Sequence, residues 1–209
     1  MGPFELTKEM VARLDDIQLR VLLGHLLTAE ARRYGISEAG IYIGGHQNAA
    51  DGGVDAVIGW ADQPAKTDYL PRQRVYFQSK AESMPPAEVG KEMRPGGKPR
   101  PIFDELALVD GAYVIFSTDD PSKSALDDRL AAMRQAVAGI TGSDRIFLDF
   151  YGAEKIARWA NQHLGVALEA LKQSGRVLGG WRPYGDWSAP GAAGQPYVLD
   201  ETPRVTLRG

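Results

Sequence analysis

Apolar residues fall into two rhythms along this chain, and the switches between them mark alternating helices and strands. From Asp16 to Tyr34 (DIQLRVLLGHLLTAEARRY), Ile17, Val21, Leu22, Leu26, Leu27 and Ala31 recur at helical spacing, and Gly35 stands where such a helix stops. Ile41-Tyr42-Ile43 predicts a short strand, Val54 to Ile58 a second and Arg74 to Lys80 a third. Two prolines between the last two predict a hairpin or a wide loop. Residues 84–101 (MPPAEVGKEMRPGGKPRP) are rich in Pro, Gly and basic residues and predict a mobile connection with one helical turn inside it. Ile102 to Val109 predicts a short helix. Ala112 to Phe116 (AYVIF) is the most apolar run and predicts a central strand covered on both faces. Asp119-Asp120-Pro121-Ser122 marks the start of a helix over Ser124 to Ile140. A strand over Arg145 to Phe150 follows, then helices over 152–162 and 166–173. The order predicts an α/β domain with a mixed central sheet and helices on both faces.

The rhythm is lost after Gly175. The remainder, GRVLGGWRPYGDWSAPGAAGQPYVLDETPRVTLRG, is full of Gly, Pro and aromatics, and reads as a surface strap or as a linker toward a downstream module. The expected division is a domain over 1–174 and this segment over 175–209. A length of 209 residues suits one such domain with a tail, and 44% hydrophobic with 24% charged residues is an ordinary globular mix. With no cysteine, disulfides and zinc–thiolate sites are excluded, and a reducing cytoplasm is the expected compartment. The start, MGPFELTKEM, lacks the pattern of a secretory leader, and no run of about 18 apolar residues predicts a membrane span. A net charge of −3 argues mildly against a dedicated high-affinity DNA-binding module. It does not exclude a nuclease, whose carboxylates are offset by a bound metal.

Candidate chemistry concentrates between Asp51 and Lys80. In Asp51-Gly52-Gly53-Val54-Asp55, two glycines allow a tight turn or a close approach just before a strand that Asp55 opens. In Val75-Tyr76-Phe77-Gln78-Ser79-Lys80, alternation puts Tyr76, Gln78 and Lys80 on one face and Val75 and Phe77 on the other. A lysine projecting from a core-like strand needs an anionic neighbour, and Asp55 on the adjacent strand is the expected one. A hard divalent cation takes oxygen ligands: the Asp55 carboxylate, the Gln78 amide oxygen and the Ser79 backbone carbonyl offer them. Lys80 is then placed to hold an attacking water or to stabilise charge on a transferring phosphoryl group.

GGVD followed by QSK resembles the PD-(D/E)xK nuclease superfamily, near its Mrr-like restriction endonuclease branch, in which QxK often replaces ExK. The resemblance spans roughly Gln18 to His163, carried by those two short motifs. It implies Asp55 as principal metal ligand, Gln78 in the acidic or amide position, Lys80 as catalytic lysine and Mg²⁺ or Mn²⁺ as cofactor. It also implies an acid on the first core helix, where Glu30 fits and Glu38 is the weaker substitute. The proline that names the family is absent; Val54 stands before Asp55. FYGAEKIARWANQH resembles the closing helix of relatives, and the WRPYGDWS segment with the C-terminal stretch after it resembles nuclease domains at the N-terminus of bacterial anti-phage proteins that carry a signal-transducing NTPase module. No P-loop occurs in this chain. The implied activity is cleavage of DNA, held in check until copies assemble into a homo-oligomer, with no membrane partner.

Other residues have plainer readings. Asp51 is a turn former, and His46 and Gln47 are loop residues with a possible substrate contact. His25 is expected in the core or at its boundary, and His25, His46 and His163 show no metal-ligand spacing. Lys91, Arg94, Lys98 and Arg100 form a basic run that is either a solvated face or a phosphate contact. Trp181, Tyr184 and Trp187 either stack on bases or pack the strap onto the core. Two alternatives stand beside the nuclease: a silent domain of the same fold acting in nucleic-acid binding or assembly, and an unrelated enzyme or structural domain.

Overall fold

A computed structural model describes residues 4–44 and 54–175. Asp51, the paired glycines, His46, Gln47 and the segment from 176 onward, with Trp181, Tyr184 and Trp187, lie outside the described residues. The element order is α1 (Lys8–Val11), α2 (Asp16–Tyr34), β1 (Ile41–Ile43), β2 (Ala56–Gly59), β3 (Arg74–Lys80), α3 (Pro86–Met93), α4 (Ile102–Leu108), β4 (Ala112–Ser117), α5 (Lys123–Val137), β5 (Phe147–Tyr151), α6 (Ala153–Asn161) and α7 (Leu164–Gln173). The five strands form one sheet in the order β1-β2-β3-β4-β5. The first three pair antiparallel, whereas β3, β4 and β5 run parallel. The fold is therefore the expected α/β arrangement with a mixed sheet.

Local chemistry explains the principal elements. Asp15 caps α2 by accepting from the Gln18 N–H, while the Gln18 side chain accepts from the Asp15 N–H. Gly35 closes the helix at φ +67, a left-handed turn that a side chain would resist. The buried stripe of α2 is Leu19, Leu22, Leu23, Leu26, Leu27, Glu30 and Ala31. Ile17, Val21 and His25 were expected toward the core, but Ile17 is 70% exposed and His25 is exposed too. The helix carries two overlapping apolar phases, and the leucine-rich one buries more area and wins.

Each face of the sheet has its own layer. Phe77 meets Phe116, Tyr151 and Trp159, which places α6 and α2 on that face. Tyr76, Tyr113 and Ile115 point the other way, into a core with Val89 and Met93 of α3, Phe103 of α4 and Met133 of α5. Every residue of β4 is buried, as its composition predicts. The stretch expected to be a mobile connection instead contains α3 across Pro86–Met93, with Pro86 in its first turn. Val89 and Met93 are fully buried and pin it to the sheet. Among the described residues, no helix is long and apolar enough to cross a membrane.

Candidate functional site

Asp55 immediately precedes β2, and Ala56 pairs with Phe77 in the sheet register. That brings the Asp55 carboxylate against Gln78 and Ser79 of β3. Its Oδ2 accepts from the Gln78 Nε2 and from the Ser79 backbone N–H, each at 2.8 Å. Its Oδ1 lies 2.9 Å from the guanidinium of Arg20 on α2. Charge-assisted donors thus hold a largely shielded carboxylate in one position.

Gln78 and Lys80 share the Tyr76 face of β3, as alternation dictates. Lys80, however, takes a different partner from the expected one. Its Nζ lies 2.7 Å from Oε2 of Glu92 on α3, not against Asp55. The other Glu92 oxygen is 2.5 Å from Arg100, whose Nε also donates to the Glu92 backbone carbonyl at 2.7 Å. The cluster therefore sets three cations, Arg20, Lys80 and Arg100, against two carboxylates, Asp55 and Glu92. Lys80 and Arg100 outnumber the one Glu92 carboxylate they share, and a phosphodiester is the kind of anion two such cations attract.

Among the described residues, buried polar atoms without a hydrogen-bond partner include Oε1 of Gln78 and Oη of Tyr113 on this face, and also Nε of Arg20 and Nε of Arg129. Tyr113 lies beside Tyr76 in the parallel β3–β4 register and is fully buried. Burial pushes its hydroxyl well above the usual tyrosine range; Arg100 opposes that shift, and Glu92 and Asp55 add to it. The hydroxyl thus senses both carboxylates at once.

A hard divalent cation fits this donor set. A carboxylate offers about four lone-pair sites; Asp55 uses three in the contacts above, and Gln78 adds an unused amide oxygen. Ser79 contributes its N–H to Asp55 and turns its hydroxyl toward the opposite face. Among the described residues, no three His, Asp or Glu side chains converge as a metal-binding group, so the set is carboxylate and amide rather than a polycarboxylate cage.

Glu30 belongs elsewhere. It is fully buried and accepts from the Thr67 hydroxyl at 2.5 Å and from the Trp159 indole N–H at 3.0 Å. The His163 Nε2 lies 3.0 Å away as well. Trp159 packs against Phe77, so Glu30 lies on the face opposite Gln78 and Lys80. The structure does not bring it to Asp55. Helical spacing places an acid on α2 but does not say which sheet face that acid meets. Glu38, its substitute, is exposed and paired with Arg32 at 2.7 Å.

The basic run divides by environment. Lys91 pairs with Glu88, and Lys98 is exposed. Arg94 donates to the carbonyls of Gly97 and Ala136, so it fastens a loop, and Arg100 belongs to the Glu92 cluster. Glu92, Arg20 and Tyr113 are the site residues that sequence reasoning passed over. The available signal for Glu92 was its place beside Met93, with Val89 one turn earlier, in a helix that follows QSK.

Compared with protein-family models, curated proteins and solved structures, the chain matches none.

Proposed function

We propose that this domain is a metal-dependent endonuclease that hydrolyses DNA phosphodiester bonds, serving as the effector of a bacterial anti-phage defence protein. The observation that carries the reading is the joint placement of Asp55, Gln78 and Lys80. The Asp55 carboxylate is bonded to Gln78, and Lys80 projects from the same strand face two residues on.

In this reading Asp55, the Oε1 of Gln78 and the backbone carbonyl of the following Ser79 hold Mg²⁺ or Mn²⁺. The bound ion would polarise the phosphate and lower the pKa of a water. Arg20 and the Ser79 N–H fix the Asp55 carboxylate in advance, so little reorganisation is needed when the substrate arrives. Lys80 supplies a positive charge within reach of the attacking water and of the charge that develops on the phosphoryl oxygens. Lys80 and Arg100 attract the DNA backbone. Assembly into a homo-oligomer would bring two such sites together and convert nicks into double-strand breaks.

The test is cleavage of supercoiled plasmid by the full chain. With millimolar Mg²⁺ or Mn²⁺, nicked and linear products are expected. EDTA or Asp55→Ala should reduce the rate by about 10³-fold, the scale of losing a principal electrostatic contact. Equal cutting by Asp55→Ala would refute the assignment.

A second reading has its own observation. Arg20 already neutralises Asp55, and Glu92 already neutralises Lys80. A silent nuclease-fold module for nucleic-acid binding or assembly would look like this. It predicts DNA retention without cleavage and no Mn²⁺ heat in calorimetry with DNA present.

A further inference from the structure

We infer that Glu92 is the second carboxylate of the metal site, ligating the cation together with Asp55 and giving up Lys80 as it does so. This rests on the metal-dependent reading above and assigns it a ligand from α3 that neither the GGVD nor the QSK motif contains.

The placement favours it. Gln78 and Lys80 are two residues apart on one strand face, a span of about 7 Å. Asp55 is bonded to the first and Glu92 to the second. The two carboxylates therefore flank the same stretch of β3. The Gln78 amide, in a residue only 6% exposed, donates to Asp55 through Nε2 while its Oε1 has no partner. Below lies the unpartnered Tyr113 hydroxyl, within electrostatic reach of both acids. A buried amide oxygen left without a partner beside the Asp55 carboxylate marks a place where a ligand is missing from the hydrogen-bond inventory.

The environment of Glu92 fits a ligand better than a core counter-ion. Its side chain is 18% exposed, so solvent and a hydrated ion reach it. Mg²⁺ retains several waters and binds through one or two carboxylates plus substrate phosphate. Asp55 with Glu92, directly or through one of the ion's waters, meets that demand. When Glu92 turns to the ion, Arg100 still holds its backbone carbonyl, which keeps α3 in place. Lys80 loses its anion and becomes available to the water or the phosphate. Glu92 thus couples metal arrival to release of the lysine.

The experiment is calorimetric titration of MnCl₂ into the full chain, alone and with a phosphorothioate DNA duplex that resists cleavage. Glu92→Gln should weaken Mn²⁺ binding at least tenfold. Glu92→Asp, which keeps a charge for Lys80 and Arg100 and so preserves folding, should weaken it by a smaller factor. Lys80→Ala, which removes the cation competing for Glu92, should tighten Mn²⁺ binding severalfold, and most of that gain should be lost in the Lys80→Ala/Glu92→Gln double variant, as it would not be if Lys80 acted on the ion by charge alone. Glu88→Gln, on the exposed side of α3, should leave binding unchanged. If both Glu92 variants bind Mn²⁺ as wild type does, Glu92 is not a ligand although the metal-dependent reading survives. If wild type binds no Mn²⁺ in either arm, that reading falls and the ligand assignment falls with it.

Discussion

The buried acid on one face of the sheet and the two half-buried acids beside its other face have opposite surroundings. Glu30 sits against Thr67, Trp159 and His163, and its carboxylate is met by donors that the fold itself supplies. Asp55 sits against Arg20, and Glu92 against Lys80 and Arg100, both partly open to solvent, and on the same face of β3 the oxygens of Gln78 and Tyr113 have no partner. The first arrangement is closed, and adding an ion would break bonds without making better ones. The second pairs its carboxylates with long side-chain cations and leaves the Gln78 amide oxygen unsatisfied. A buried acid alone does not identify a site; the state of the oxygens and cations around it does.

The largest expected effect lies on the closed side. Glu30→Ala leaves the Thr67 hydroxyl, the Trp159 N–H and His163 without their acceptor and should cost about 3–5 kcal/mol of stability. At about 2–4 °C per kcal/mol for a domain of this size, the melting temperature should fall by roughly 10 °C. Cleavage per folded molecule and Mn²⁺ affinity should stay unchanged below the melt. A stable Glu30→Ala variant that no longer binds Mn²⁺ would erase the contrast.

A smaller effect is expected from Arg20→Ala. Removing the guanidinium frees the Asp55 Oδ1 for a cation, so Mn²⁺ affinity should rise severalfold, on the order of 1 kcal/mol. Calorimetry against wild type reads this directly, and a weakened affinity would mean that Arg20 positions Asp55 more than it competes with the ion.

The smallest is Tyr113→Phe. Deleting an unpartnered buried hydroxyl should raise metal-free stability by about 1 kcal/mol or leave it unchanged. The variant also bears on alkaline unfolding. The folded hydroxyl ionises well above its ordinary value of 10.0, so its contribution is fully present below that pH. It is lost as pH rises further, because the unfolded chain releases the proton first. Tyr113→Phe should therefore show a shallower stability loss above pH 10 in urea titrations. A clear drop in neutral stability would show that a water or an ion normally satisfies the hydroxyl.

Most of the fold was legible because its elements are periodic and local. The α2 leucines, the AYVIF strand and the alternation in RVYFQSK announce themselves over a few residues. The same locality exposed Asp55, Gln78 and Lys80, two short motifs on what become adjacent strands. What was not legible depends on pairing across the chain. PAEVGKEM reads as a broken segment because Gly90 lies inside it and prolines flank it; its helix is stabilised by burying Val89 and Met93 against the sheet. Arg100 therefore read only as part of a basic run, solvated or contacting phosphate, and Glu92 drew no reading. Nothing in the spacing of α2 shows that Arg20 meets Asp55, far along the chain. Glu30 was placed on the right helix, but only its contacts with Trp159 and His163, far along the chain, show that it faces away from Asp55.

The most direct measurement of the central claim is plasmid cleavage by Lys80→Ala set against its Mn²⁺ binding. The account predicts that this variant folds, binds Mn²⁺ at least as tightly as wild type and cuts about 10³-fold more slowly, since the metal remains while the charge beside the reacting phosphate is gone. Wild-type cutting rates in Lys80→Ala would contradict it.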